Sequence, residues 1–117
     1  LKTARFPEYD KETDTINYGE FTDTPLPLTK NQALSMTFYK IGDSLILDPN
    51  REEEDASEAR LTLAIAKPEK DRIISAMQKG GQTPMTADEL IKIIEQSEKN
   101  YDEKFPEIEK KIKDLMK

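Results

Sequence analysis

The chain has 117 residues, 35% hydrophobic and 36% charged, with a net charge of −6. That length suits one domain over 1–117 with one modest core. Cysteine and histidine are both absent, which excludes disulfides, thiolate metal sites and imidazole chemistry.

No apolar run approaches the length of a bilayer span and no signal-peptide pattern is present. A cytoplasmic protein with no membrane partner is expected. The charge is uneven. Of 18 basic and 24 acidic residues, 6 and 13 fall in residues 1–58, leaving 12 and 11 in residues 59–117. An acidic chain repels a phosphate backbone, so strong nucleic-acid binding by this chain alone is disfavoured, though a partner could supply positive charge. The chain begins at Leu1 and not at a methionine, which reads as processing or as part of a longer polypeptide.

In chain order, Leu1–Phe6 reads as the end of a helix stopped by Pro7. Glu8–Leu28 has little periodicity and finishes at Pro25-Leu26-Pro27-Leu28, an extended arm. Together these make an N-terminal segment over 1–32. Antiparallel strands are predicted over 33–81. Ala33–Ile41 alternates, with Leu34, Met36 and Phe38 on one face. Gly42-Asp43 suits a type II′ hairpin turn, and Ser44–Asp48 returns with Leu45 and Leu47 inward. An acidic connection follows. Leu61–Ala66 alternates again, and Arg72–Met77 makes a last short strand before Gln78-Lys79-Gly80-Gly81. Short connections favour an antiparallel meander.

The period then changes, and residues 82–117 read as helical. Thr86-Ala87-Asp88-Glu89 is a capping box, with Met85 and Leu90 at the staple positions. Leu90, Ile91, Ile94 and Tyr101 form a stripe that Ile93 widens. Pro106 opens or kinks a second stretch, in which Phe105, Ile108, Ile112 and Leu115 share a face. Glu95–Lys99 and Glu107–Lys111 are candidate ion pairs at four-residue spacing. The fold class is therefore α+β, an antiparallel sheet covered on one face by a C-terminal helix or kinked helix pair.

The acidic connection fails as a calcium loop. Asp48, Asn50, Glu52 and Glu54 take the first four ligand places, but Glu53 stands where glycine is needed and Ala59 where the bidentate glutamate belongs. Gln78-Lys79-Gly80-Gly81 lacks the spacing of a phosphate-binding Walker loop. Serine and threonine have no histidine to activate them. Weak magnesium binding or paired-carboxylate chemistry at the connection stays open beside the plainer reading of a solvated loop.

Taken together, the strand Ser35–Ile41, Gly42-Asp43, Leu47-Asp48-Pro49, Glu52-Glu53-Glu54, Ala59-Arg60-Leu61-Thr62 and Met77-Gln78-Lys79-Gly80-Gly81 resemble the RNase PH family. Within it, the likeness is to the non-catalytic ring subunits of the archaeal exosome. It covers roughly residues 1–100 and only the second half of a family member. The resemblance implies a ribosomal protein S5 domain 2-like fold. It also implies a partner: a catalytic RNase PH-type subunit, three pairs closing a hexameric ring that threads RNA. That ring cleaves from the 3′ end with inorganic phosphate and releases nucleoside diphosphates.

In active subunits the strand after the acidic connection begins with an aspartate that helps catalysis; here Arg60 stands in that place. An arginine cannot act as a carboxylate base or bind a cation. The expectation is a non-catalytic chain with no cofactor, no metal and no catalytic residue. Arg60, Glu54, Glu58 and Lys79 become candidates for an interface or for holding the loop. Arg60 would pair with Glu58 or Glu54, or else face the partner subunit or a phosphate. The rivals are an active phosphorolytic subunit using Asp48 or the Glu52–Asp55 cluster with Mg²⁺, and a generic protein-interaction module.

Overall fold

The computed structural model describes residues 2–29 and 31–116. They fall into two compact units, one over residues 2–29 and one over residues 31–115, where the sequence suggested one.

The first unit is a two-stranded ribbon. Strand β1, Arg5–Asp10, pairs antiparallel with β2, Thr15–Pro25. The expected helix end and extended arm are thus corrected to a β-hairpin. Threonine and aromatic residues favour a pleated strand. Pro7 is tolerated because the register shifts on either side of it, between Arg5 and Glu8, where a missing N–H costs no ladder bond. At the turn, the Asp10 carboxylate accepts from the Glu12 N–H at 2.8 Å, and this bond holds the carboxyl below its usual range. The Tyr9 hydroxyl donates to Asp14.

The second unit is a four-stranded antiparallel sheet with one long helix. Strands β3 (Ala33–Ile41), β4 (Ser44–Leu47), β5 (Ala59–Ala66) and β6 (Ile73–Gly81) lie in the order β4-β3-β5-β6. The β3–β4 turn is two residues long, pairing Ile41 with Ser44. Gly42 has φ of 57° and Asp43 does not share it, as a type II′ turn requires. Strand β6 runs four residues further than its sequence suggested. Gln78–Gly81 stay in the ladder, with Gly80 opposite Arg60 and Gly81 opposite Ala59.

Helix α2 runs unbroken from Ala87 to Leu115 with Pro106 inside it. The capping box forms: Glu89 N–H donates to the Thr86 hydroxyl at 3.2 Å and the Glu89 carboxylate accepts from Thr86 N–H at 2.7 Å. Met36, Phe38, Leu61, Leu63 and Ile65 form the sheet side of the core and Ile93 and Tyr101 the helix side. The stripe is therefore centred on Ile93, Ser97 and Tyr101, and Ile91 turns outward. Tyr101 stacks on Phe105, ring centroids 4.6 Å apart, and its hydroxyl donates to the Gln32 carbonyl at 3.1 Å.

Two ion pairs fasten α2 to the sheet unit. Lys40 meets Glu89 at 2.6 Å, with both side chains largely shielded, and Arg72 meets Asp102. The expected Glu95–Lys99 and Glu107–Lys111 pairs do not form among the described residues. Such exposed pairs gain only about 0.2–0.5 kcal/mol against the entropy of two long side chains.

Candidate functional site

The acidic connection is not a loop throughout. Asp48, at φ of 59°, turns the chain out of β4. Residues Arg51–Asp55 then form a short helix, α1. Asn50 caps it: its side chain accepts from Glu53 N–H at 2.9 Å while the Glu53 carboxylate accepts from Asn50 N–H at 2.8 Å. Three glutamates in the first turn, Glu52, Glu53 and Glu54, favour the positive end of the helix dipole. The Asn-x-x-Glu spacing of Asn50 and Glu53 is the sequence signal for this helix start.

Most carboxylates of this segment are engaged by protein donors. Glu53 serves the cap. Glu54 accepts from the Tyr39 hydroxyl at 3.3 Å. Asp55 accepts from Arg51 Nε at 3.0 Å. Glu58 accepts from Gly42 N–H at 3.2 Å, and its own N–H donates to the Lys40 carbonyl at 2.9 Å. Glu54 and Glu58 therefore tie the connection to β3 and to the β3–β4 turn. Among the described residues, no three acidic side chains converge as a metal site would require.

Arg60 opens β5 on the sheet face away from α2, between Tyr39 of β3 and Gly80 of β6. Among the described residues it pairs with neither Glu54 nor Glu58. Those two are held elsewhere, and the arginine leans over Gly80. A Cβ on Gly80 would lie 2.8 Å from Arg60 Nε and 3.1 Å from its Cγ, so the glycine makes room for the side chain. Arg60 also lines a small cavity of about 140 Å³ with Thr37, Tyr39, Thr62, Gln78 and Gly80. Thr37 and Thr62 share a hydrogen bond of 2.9 Å there.

Lys79 points to the opposite face from Arg60, and its ammonium donates to the Gly81 carbonyl at 2.9 Å. The structure thus brings Arg60, Glu54 and Glu58 around one end of the sheet, and Lys79 to the other side of β6. Tyr39 and Gly80 were missed as members of this site. Tyr39 lies within the alternating run Ala33–Ile41 and Gly80 within Gln78-Lys79-Gly80-Gly81, and neither pattern marks a site.

Residues 31–100 match the 3′ exoribonuclease family, domain 2. The chain belongs to that family. The match starts just before β3 and ends within α2, so it lies inside the second structural unit. The chain is 36% identical over 94 residues to exosome complex component Rrp42 of Methanothermobacter thermautotrophicus, covering 80% of this chain and 33% of the relative. It is 37% identical over 106 residues to the Rrp42 of Thermococcus gammatolerans, covering 88% and 37%. It is 34% identical over 105 residues to that of Pyrococcus furiosus, covering 88% and 36%. The chain spans about a third of the length of the curated relatives it matches. As a domain 2 of this family, it carries an arginine on β5 and a helical acidic connection whose carboxylates are largely engaged. No helix among the described residues is long and apolar enough to cross a membrane.

Proposed function

We propose that this chain is the second domain of a non-catalytic ring subunit of an archaeal exosome, working in the cytoplasm. In that role it pairs with a catalytic RNase PH-type subunit, and three such pairs close a ring that degrades RNA phosphorolytically from the 3′ end. The observation that carries this reading is Arg60 at the start of β5. A guanidinium stays charged at physiological pH and neither accepts a proton nor binds a cation.

The neighbouring carboxylates support the same conclusion. Glu53, Glu54, Asp55 and Glu58 each accept a hydrogen bond that holds the connection in shape. Glu54 and Glu58 act as ties for the α1 segment, Lys79 steadies the end of β6, and Arg60 is left to face a partner in the assembly. RNA reaches the chain through the assembled ring, since an acidic subunit is a poor lone RNA binder.

Two measurements test this. The protein containing this chain should co-purify with a catalytic RNase PH-type subunit; separate elution of the two would refute the assembly reading. Alone, with single-stranded RNA, phosphate and Mg²⁺, it should release no nucleoside diphosphates. Release that is abolished by Glu54→Ala but unaffected by Arg60→Ala would overturn the non-catalytic assignment.

A further inference from the structure

The sheet face away from α2 has a hollow built into its ladder. Side chains alternate along each strand, so Thr37 and Tyr39 of β3, Arg60 and Thr62 of β5, and Gln78 and Gly80 of β6 share that face in two adjoining rows. Five of these six places carry a side chain. The sixth is Gly80, where a Cβ would lie 2.8 Å from Arg60 Nε. The glycine thus opens the cavity of about 140 Å³ that the six residues line.

The lining is rich in donors. Arg60 and Gln78 both carry side-chain N–H groups, and among the described residues neither side chain has a hydrogen-bond partner. Thr37 and Thr62 share a hydrogen bond of 2.9 Å. That bond uses the hydrogen of one hydroxyl and leaves the other to donate. Among the described residues, no carboxylate lines this cavity. Glu54, Asp55 and Glu58 border the adjoining one, and each already accepts a bond, from Tyr39, Arg51 and Gly42 respectively.

These features select a ligand class. A guanidinium keeps its charge at physiological pH, so beside neutral donors it repels a cation and attracts an anion. A planar carboxylate is satisfied by the arginine fork alone. A tetrahedral oxyanion has oxygens left over for the amide of β6 and the hydroxyl between β3 and β5. Size agrees: at about 30 Å³ for each water-sized group, the cavity holds about five, the number of heavy atoms in such an anion.

We infer that the hollow over Gly80 binds a phosphoryl group, with Arg60 as its charged anchor and Gln78 and the Thr37–Thr62 pair as neutral donors. Inorganic phosphate and the backbone of single-stranded RNA present the same oxygens. The inference deepens the role given to Arg60 above, and rests on that reading only for the arginine meeting a group from outside the chain.

The test uses the whole protein containing this chain, without its partner, at constant ionic strength. Amide resonances are followed as potassium phosphate, a single-stranded hexanucleotide or, as control, potassium acetate is added. Phosphate should shift Thr37, Thr62, Gln78 and Gly80 saturably, with a Kd on the order of 1 mM. Acetate should bind about tenfold more weakly. Arg60→Met keeps the stem and removes the charge, and should abolish the shifts; the side chain is exposed, so the fold is kept. Gly80→Ala keeps the charge and fills the hollow, and should weaken binding about tenfold. A response to phosphate alone supports a free anion as the ligand, and a tighter response to the hexanucleotide supports the RNA backbone. No saturable shift with either, or shifts that survive Arg60→Met, would overturn the inference. So would acetate binding as tightly as phosphate, since the occupant would then be a carboxylate. Co-purification with the catalytic subunit is scored separately, so failure of the site and failure of the assembly reading are told apart.

Discussion

At the scale of single residues, the end of β6 shows how two adjacent glycines differ. Gly81 has φ of +83°, and a Cβ there would lie 2.7 Å from the Glu58 carbonyl oxygen and 2.9 Å from Ala59 Cα. Those are backbone atoms and cannot step aside. The atoms nearest to a Cβ on Gly80 all belong to the flexible Arg60 side chain. Gly81→Ala is therefore expected to destabilise the sheet unit by roughly 2 kcal/mol or more, and Gly80→Ala by clearly less. Urea unfolding of both variants checks this, and equal midpoints would contradict it. The identity of Arg60 was plain in the sequence, but its surroundings were not. Pairing with Glu54 or Glu58 looked natural from their closeness along the chain. The fold gives those carboxylates to Tyr39 and Gly42 instead, because β3 and its turn lie nearer to them than the arginine does.

At the scale of elements, the alternating runs of β3, β4 and β5 and the capping box of α2 were legible. Each is a local pattern repeated at the period of its own structure. The N-terminal ribbon was not legible, since its ladder pairs residues such as Arg5 and Pro25 across a bulged, two-faced exposed strand. Nor was the continuity of α2 through Pro106. Proline removes the donor that would bond the Asp102 carbonyl, a local cost of about 3 kcal/mol relative to alanine. The stacked Tyr101–Phe105 pair and the packing of Phe105 on the core keep the helix running past it. Pro106→Ala should restore the missing bond and slow amide exchange across the adjacent turns by about tenfold, leaving the strands unchanged. Exchange rates that rise in that stretch would show that the proline is required there.

At the scale of the whole chain, the helix is fastened to its sheet by two carboxylates with lowered pKa. A hydrogen bond from Lys40, with help from the Thr86 amide, lowers Glu89, and the Arg72 guanidinium lowers Asp102. Both are charged in the folded state at a pH where the unfolded groups begin to protonate. Their stabilisation is complete above the ordinary carboxylate range, about pH 4, and is lost as pH falls through the lower folded values. Unfolding midpoints followed by circular dichroism should drop on acidification, and a Glu89→Gln/Asp102→Asn chain should show a flatter profile. An unchanged profile would mean that other carboxylates carry the acid sensitivity. By itself the sequence determined the fold class, the strand and helix periods, the absence of cysteine and histidine chemistry, and the arginine at the head of β5. These follow from residue type and local spacing. Only the tertiary structure decided which donors hold the acidic connection, that Arg60 lies over Gly80, and that α2 packs on β3 and β5. Those outcomes depend on which strands become neighbours and on how many strands one helix can cover, and no local pattern encodes either.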